Sequence, residues 1–106
     1  MKHFTPKQLS DYLNETTSAP FLLDVREPWE YEICHIENSI LIPIGQIHLK
    51  HESLDSNEET VVICHHGVRS RQVAMYLESL GFSNVINLSG GIDAWSQEID
   101  LDMATY

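Results

Sequence analysis

A chain of 106 residues supports one hydrophobic core and is too short for two, so a single domain spanning 1–106 is expected. With 16 acidic against 6 basic side chains its net charge is −10, which excludes nucleic acid and anionic membranes as partners. No apolar run reaches membrane-spanning length and no signal-peptide core opens the chain; two cysteines make no disulfide framework, so a cytoplasmic location is expected.

Phe4-Thr5-Pro6 supplies an N-cap and a proline at the first helical position, and Leu9, Tyr12 and Leu13 continue a helical stripe to about Glu15. After a polar connection, Phe21-Leu22-Leu23-Asp24-Val25 reads as a buried strand that turns polar at its end. Glu27-Pro28 then starts a short helix carrying Trp29 and Ile33. Ile40-Leu41-Ile42 is a further strand stopped by Pro43, and Ile44, Ile47 and Leu49 suggest a short helix before the acidic stretch from Glu52 to Glu59. Asn84 to Leu88 is the last strand, from which Gly90-Gly91 turns the chain into a short helix holding Ile92 and Trp95. Strands alternating with helices imply a parallel sheet covered by helices.

One stretch carries most of the chemistry. Thr60-Val61-Val62-Ile63 is a short β-branched run that reads as a buried strand, and Cys64 stands where it ends. His65, His66, Gly67, Val68 and Arg69 follow. From Ser70 a helical period places Val73, Ala74, Leu77 and Leu80 on one face, with Gly81 at the expected C-cap. A loop wrapped around a helix start aims several backbone N–H groups at one spot, and the helix dipole adds positive potential there. Such a cradle favours the negative form of a thiol, so Cys64 is predicted to be a nucleophile. Glu78 is the only acid close by in sequence, and Arg69 and Arg71 concentrate positive charge at the loop. An acidic body with one positive mouth would steer small anions to Cys64. Against this stands the plain alternative of a buried cysteine acting as a small hydrophobe. A metal site is not expected, because Cys64-His65-His66 are adjacent and no CxxC or HxxxH spacing accompanies them.

The segment Cys64-His65-His66-Gly67-Val68-Arg69-Ser70 resembles the active-site loop of the rhodanese family of sulfurtransferases. The resemblance extends to Leu22 through Glu27 with Trp29-Glu30-Tyr31, to His35-Ile36 through Pro43, and to Asn87 through Trp95. It implies an α/β fold, a three-layer sandwich in which helices cover both faces of a mostly parallel five-stranded sheet. It further implies Cys64 as the catalytic residue, with His65, His66, Gly67, Val68, Arg69 and Ser70 holding the substrate or persulfide. Asp24 and Arg26 are implied to order the loops near the site. No cofactor is implied.

The implied activity moves sulfane sulfur from a small anionic or persulfide donor, such as thiosulfate, to a thiol, cyanide or sulfur-carrier protein. Arg69 would neutralise the donor. Competing readings are a phosphatase or arsenate-reductase-like enzyme and a non-catalytic redox or regulatory binding module. Related phosphatases space cysteine and arginine as C-x5-R, where this chain has Ser70 and places Arg69 one residue earlier; the shorter ring suits a sulfur atom better than a phosphate.

The chain departs from the family pattern at two positions. His65 stands for the usual first arginine of the loop, and Cys34 stands for the glycine before His35. Cys34 reads as a buried bystander, with a resolving thiol for an oxidised Cys64 as the alternative. His35 reads as structural, and Trp29, Ile92 and Trp95 as core. The tail from Trp95 to Tyr106 loosely resembles that of rhodanese domains fused to enzymes that adenylate sulfur carriers.

Overall fold

The computed structural model describes all 106 residues. Its first helix, α1 (Pro6–Glu15), starts where local chemistry places it: the Gln8 N–H donates to the Thr5 hydroxyl at 3.2 Å and the Thr5 N–H donates to the Gln8 side chain at 2.8 Å. This reciprocal cap satisfies two N–H groups that have no partner within the helix. Ahead of it lies a strand that the pattern had not singled out, β1 (Lys2–Phe4). Two of its three residues are exposed, so it lacks the apolar run that marks the interior strands.

The remaining strands are β2 (Phe21–Asp24), β3 (Ile40–Leu41), β4 (Thr60–Ile63) and β5 (Val85–Leu88). Between them run α2 (Pro28–Ile33), α3 (Ile47–Lys50), α4 (Val68–Ser79) and α5 (Gly91–Glu98), with 3-10 turns at Ile44–Gln46 and His51–Ser53 on either side of α3. The sheet order is β1-β5-β4-β2-β3, and every neighbouring pair is parallel. β4 and β5 are buried along their whole length, as strands covered on both faces must be.

Alternation along β4 divides the core. Val62 and Cys64 face Val73, Ala74 and Leu77 of α4, whereas Val61 and Ile63 face Leu9 of α1 with Ile92 and Trp95 of α5. The implied sandwich is therefore present, with all five strands parallel. No helix is long and apolar enough to cross a membrane.

The topology fixes where a ligand would sit. The chain leaves β2 toward β3 on one side and leaves β4 toward β5 on the other. The carboxyl ends of β2 and β4 therefore flank a switch point, the place where open parallel sheets form a binding crevice.

Strands β2, β3 and β5 are each one residue shorter than the sequence reading, and both ends of α4 differ from it. Helix α4 begins at Val68, two residues before Ser70, because Gly67 adopts φ 97° and caps it. Leu80 lies beyond the helix and is 42% exposed, so it does not complete the buried stripe.

Candidate active site

Cys64 is the first residue past β4, and its side chain turns into the cup formed by the start of α4. The Gly67 N–H donates to Cys64 Sγ at 3.0 Å, and the thiol donates to Ser70 Oγ at 3.3 Å. The Ser70 hydroxyl in turn donates to Asn87 Oδ1 at 2.5 Å, anchoring the cup to β5. The residue is only 1% exposed.

Glycine is required at two points of this cup. Gly67 holds a left-handed conformation, and a Cβ there would lie 3.1 Å from the Gly90 nitrogen and 3.3 Å from the Leu88 carbonyl oxygen. Gly91 is tighter still: a Cβ would run into the backbone carbonyls of Cys64 and His65. That closeness lets the start of α5 grip the loop, since the Ile92 N–H donates to the Cys64 carbonyl at 2.8 Å and the Asp93 N–H to the His65 carbonyl at 2.9 Å. Two N–H groups left over at the helix start thus hold the cradle from behind.

The side chains around the mouth are paired. Arg69 directs both terminal nitrogens at Glu30, Nη1 to Oε1 at 2.7 Å and Nη2 to Oε2 at 2.8 Å. Glu30 also accepts from the Glu27 N–H at 3.0 Å and from the Tyr106 hydroxyl at 2.8 Å. Chiefly because of the Arg69 guanidinium, and against the opposing pull of burial, its carboxyl is held down at about 2. The same bonds raise Arg69 above its ordinary value.

Arg26 lies deeper and is wholly buried with Asp24. Its Nε donates to both Asp24 oxygens at 2.9 and 3.1 Å, and its Nη2 donates to Oδ2 and to the Cys34 carbonyl, each at 2.7 Å. Its Nη1 reaches the Tyr106 hydroxyl at 3.0 Å. Burial alone would pull the guanidinium down, but these acceptors outweigh it and its pKa rises.

Tyr106 links the two pairs and covers the loop. Its ring stacks on His65 at 4.1 Å, and His65 lies 4.0 Å from His66. Desolvation, followed by the neighbouring His66, lowers the His65 pKa. Burial pushes the Tyr106 phenol up to about 12, so the hydroxyl keeps its proton and can donate to Glu30. His66 is exposed, with Nδ1 3.7 Å from Asp93. Val68 is exposed on the first turn of α4.

Several sequence expectations change here. The acids beside the loop are Glu30 and Asp93, brought in from α2 and α5, whereas the sequence neighbour Glu78 lies near the end of α4 and meets the Met1 amine at 2.8 Å. The expected positive mouth is largely neutralised, because Arg69 is tied to Glu30. Trp29 is not core: it is 57% exposed and packs edge-on to Tyr106 at 5.6 Å.

The buried side chain of α2 is instead Glu30, at 3% exposure. Sequence reasoning missed it together with Asn87 and Tyr106. A signal for Glu30 was present, since it lies three residues after Glu27 at the start of a helix with Pro28, the spacing of a reciprocal cap. Asn87 had one too, as a polar residue inside an otherwise apolar strand.

Cys34 is buried, its sulfur 4.0 Å from Arg26 Nη1. His35 is exposed, contacts the Tyr31 carbonyl at 2.9 Å through Nδ1 and stacks on the Tyr31 ring at 4.0 Å. A groove of about 480 Å³ between α1, α5 and residues 35–38 is lined by none of the cradle residues.

Comparison with known proteins bears on this geometry. Residues 5–98 match the family model described as a rhodanese-like domain. The chain is 41% identical over 91 residues to the adenylyltransferase and sulfurtransferase uba4 of Ogataea parapolymorpha, covering 83% of this chain and 23% of that protein. It is 40% identical over 75 residues to the putative sulfur carrier protein YrkF of Bacillus subtilis, covering 71% of this chain and 40% of that one. The chain thus spans less than half the length of these curated relatives. Among solved structures, a rhodanese-like domain protein from Staphylococcus aureus superposes with a TM-score of 0.85 at 35% identity, covering 93% of this chain and 95% of that one. A rhodanese-related protein from Thermoplasma volcanium gives 0.84 at 34% identity, covering 93% and 94%.

Proposed function

This chain belongs to the rhodanese-like domain family, and on that premise we propose that it transfers sulfane sulfur through a persulfide on Cys64. The observation that carries the reading is the 3.0 Å hydrogen bond from the Gly67 N–H to Cys64 Sγ, made at the helix start and at the switch point of the sheet. A negative sulfur gains from such a donor, and so does the outer sulfur of a persulfide held in the same cup.

In the first step the Cys64 thiolate attacks the outer sulfur of the donor. A Cys64 S–S bond forms, the donor's S–S bond breaks, and the leaving thiolate or sulfite carries away the electron pair. In the second step a nucleophilic acceptor attacks the outer sulfur of the persulfide and the Cys64 thiolate leaves. Splitting the transfer in this way replaces one difficult step by two easier ones. The names of the relatives, which include a sulfurtransferase and a sulfur carrier, support a protein acceptor of the sulfur-carrier type. Residues 65–70 hold the sulfur, with Asp24 and Arg26 bracing the floor.

Intact-mass spectrometry tests the reading. After treatment with glutathione persulfide the protein is expected to gain one sulfur, removable by cyanide, and Cys64→Ser is expected to gain none. An adduct equal in both proteins, or in neither, would overturn it.

A further inference from the structure

The groups around Cys64 are arranged to leave little positive charge for a substrate. Two permanent cations, Arg26 and Arg69, stand among three carboxylates, Asp24, Glu30 and Asp93. Arg26 is sealed against Asp24 and two carbonyls. Arg69 spends its bidentate fork on Glu30, the geometry with which a guanidinium would otherwise grip a sulfonate or phosphate. His65 is wedged between His66 and Tyr106, its pKa below the ordinary histidine value. Arg71, the remaining cation of the segment, is exposed on α4 and makes no ion pair. The whole chain adds a net charge of −10.

We infer that the site selects donors that carry at most one negative charge on the reacting S–S group, the persulfides of small thiols, over thiosulfate, which carries two, and that Glu30 is the positioning residue that sets this choice by occupying Arg69. The inference rests on the sulfurtransferase reading and specifies its donor. With thiosulfate the attack brings a dianion against a thiolate and expels sulfite, with the persulfide formed as Cys64–S–S⁻. With a thiol persulfide R–S–SH the thiolate takes the outer sulfur, Cys64–S–SH forms, and RS⁻ leaves with the electron pair. Both steps balance, but only the first crowds three negative charges into a mouth whose cations are already matched.

The test follows persulfide formation on the full chain by quenched single-turnover mass spectrometry, with thiosulfate and glutathione persulfide as donors. The wild-type second-order rate constant is expected to be larger for glutathione persulfide. The thiosulfate constant is expected to rise with added NaCl, because salt screens like-charge repulsion. Glu30→Gln, which frees the Arg69 fork, is expected to shift the donor ratio toward thiosulfate by about tenfold. A merely structural role for Glu30 would lower both constants together and leave the ratio unmoved. Should Glu30→Gln fail to fold, His65→Arg at the half-buried rim adds a cation without removing a buried hydrogen bond, and the same shift is expected. A wild-type protein that takes sulfur from thiosulfate as fast as from glutathione persulfide, or whose thiosulfate constant falls with salt, overturns the inference and leaves the sulfurtransferase reading standing. Failure of both donors to load Cys64 overturns both.

Discussion

The Asp24–Arg26 pair has no solvent access on either side chain, whereas in the Glu30–Arg69 pair the arginine side chain is 34% exposed. Both are carboxylate–arginine pairs with contacts of 2.7 Å, and one hydroxyl, that of Tyr106, touches both. Their settings separate them. Asp24 and Arg26 are two residues apart at the end of β2, and the guanidinium meets carbonyls on its remaining sides. Glu30 and Arg69 are 39 residues apart and tie α2 to the first turn of α4, beside the cysteine. A buried pair is hard to break because the survivor is left charged and dry; a half-exposed pair can be reopened by water or by a ligand. The first therefore acts as floor and the second as rim.

The contrast is sharpest if one partner is removed from each. Asp24→Ala leaves Arg26 buried without its counter-charge and is expected to cost about 3–5 kcal/mol, read as a lower urea midpoint. Glu30→Gln is expected to cost less, roughly 2 kcal/mol at neutral pH, because Arg69 regains water. Its cost should also depend on pH. The Glu30 carboxyl sits at about 2 in the folded chain against an ordinary 4.5, so the folded form binds fewer protons between those values. Its contribution is present above about pH 4.5 and is lost as pH falls toward 2, with an upper bound on the order of 3 kcal/mol before discounting for the exposure of Arg69. Urea titrations at pH 7 and pH 3 should show the gap between wild type and Glu30→Gln closing in acid. A gap of constant size would mean that the carboxylate stabilises nothing through its charge. The smallest effect is expected from Tyr106→Phe, which removes the hydroxyl shared by the two pairs but keeps the ring on His65; about 1 kcal/mol is the expected loss. A loss as large as that of Asp24→Ala would mean that floor and rim are one cooperative unit.

Local chemistry made much of the frame legible. The N-cap at Thr5 with Pro6 behind it, the β-branched run into Cys64 and the glycine after α4 act within a few residues, and each element formed within two residues of those signals. Edges were harder. β1 is three residues long with two exposed, so no apolar pattern announced it. Gly67 started α4 two residues early because a left-handed glycine can serve as an N-cap as well as loosen a loop. Trp29 misled for a different reason: its size suggested core, but α2 meets the rest of the chain through Glu30. Within the site, the cysteine and its cradle could be read in order along the chain, while the pairing of its charges could not.

Sequence alone determined that a cysteine ends a buried strand just ahead of a helix, since strand period and helix period are properties of neighbouring residues. Only the tertiary structure decided that Arg69 faces Glu30, that Ser70 leans on Asn87 and that Tyr106, 80 residues from Arg26, bridges the two ion pairs. Electrostatic partners are chosen by distance in space, and that distance is set by how parallel strands and their crossover helices pack, which spacing along the chain does not encode.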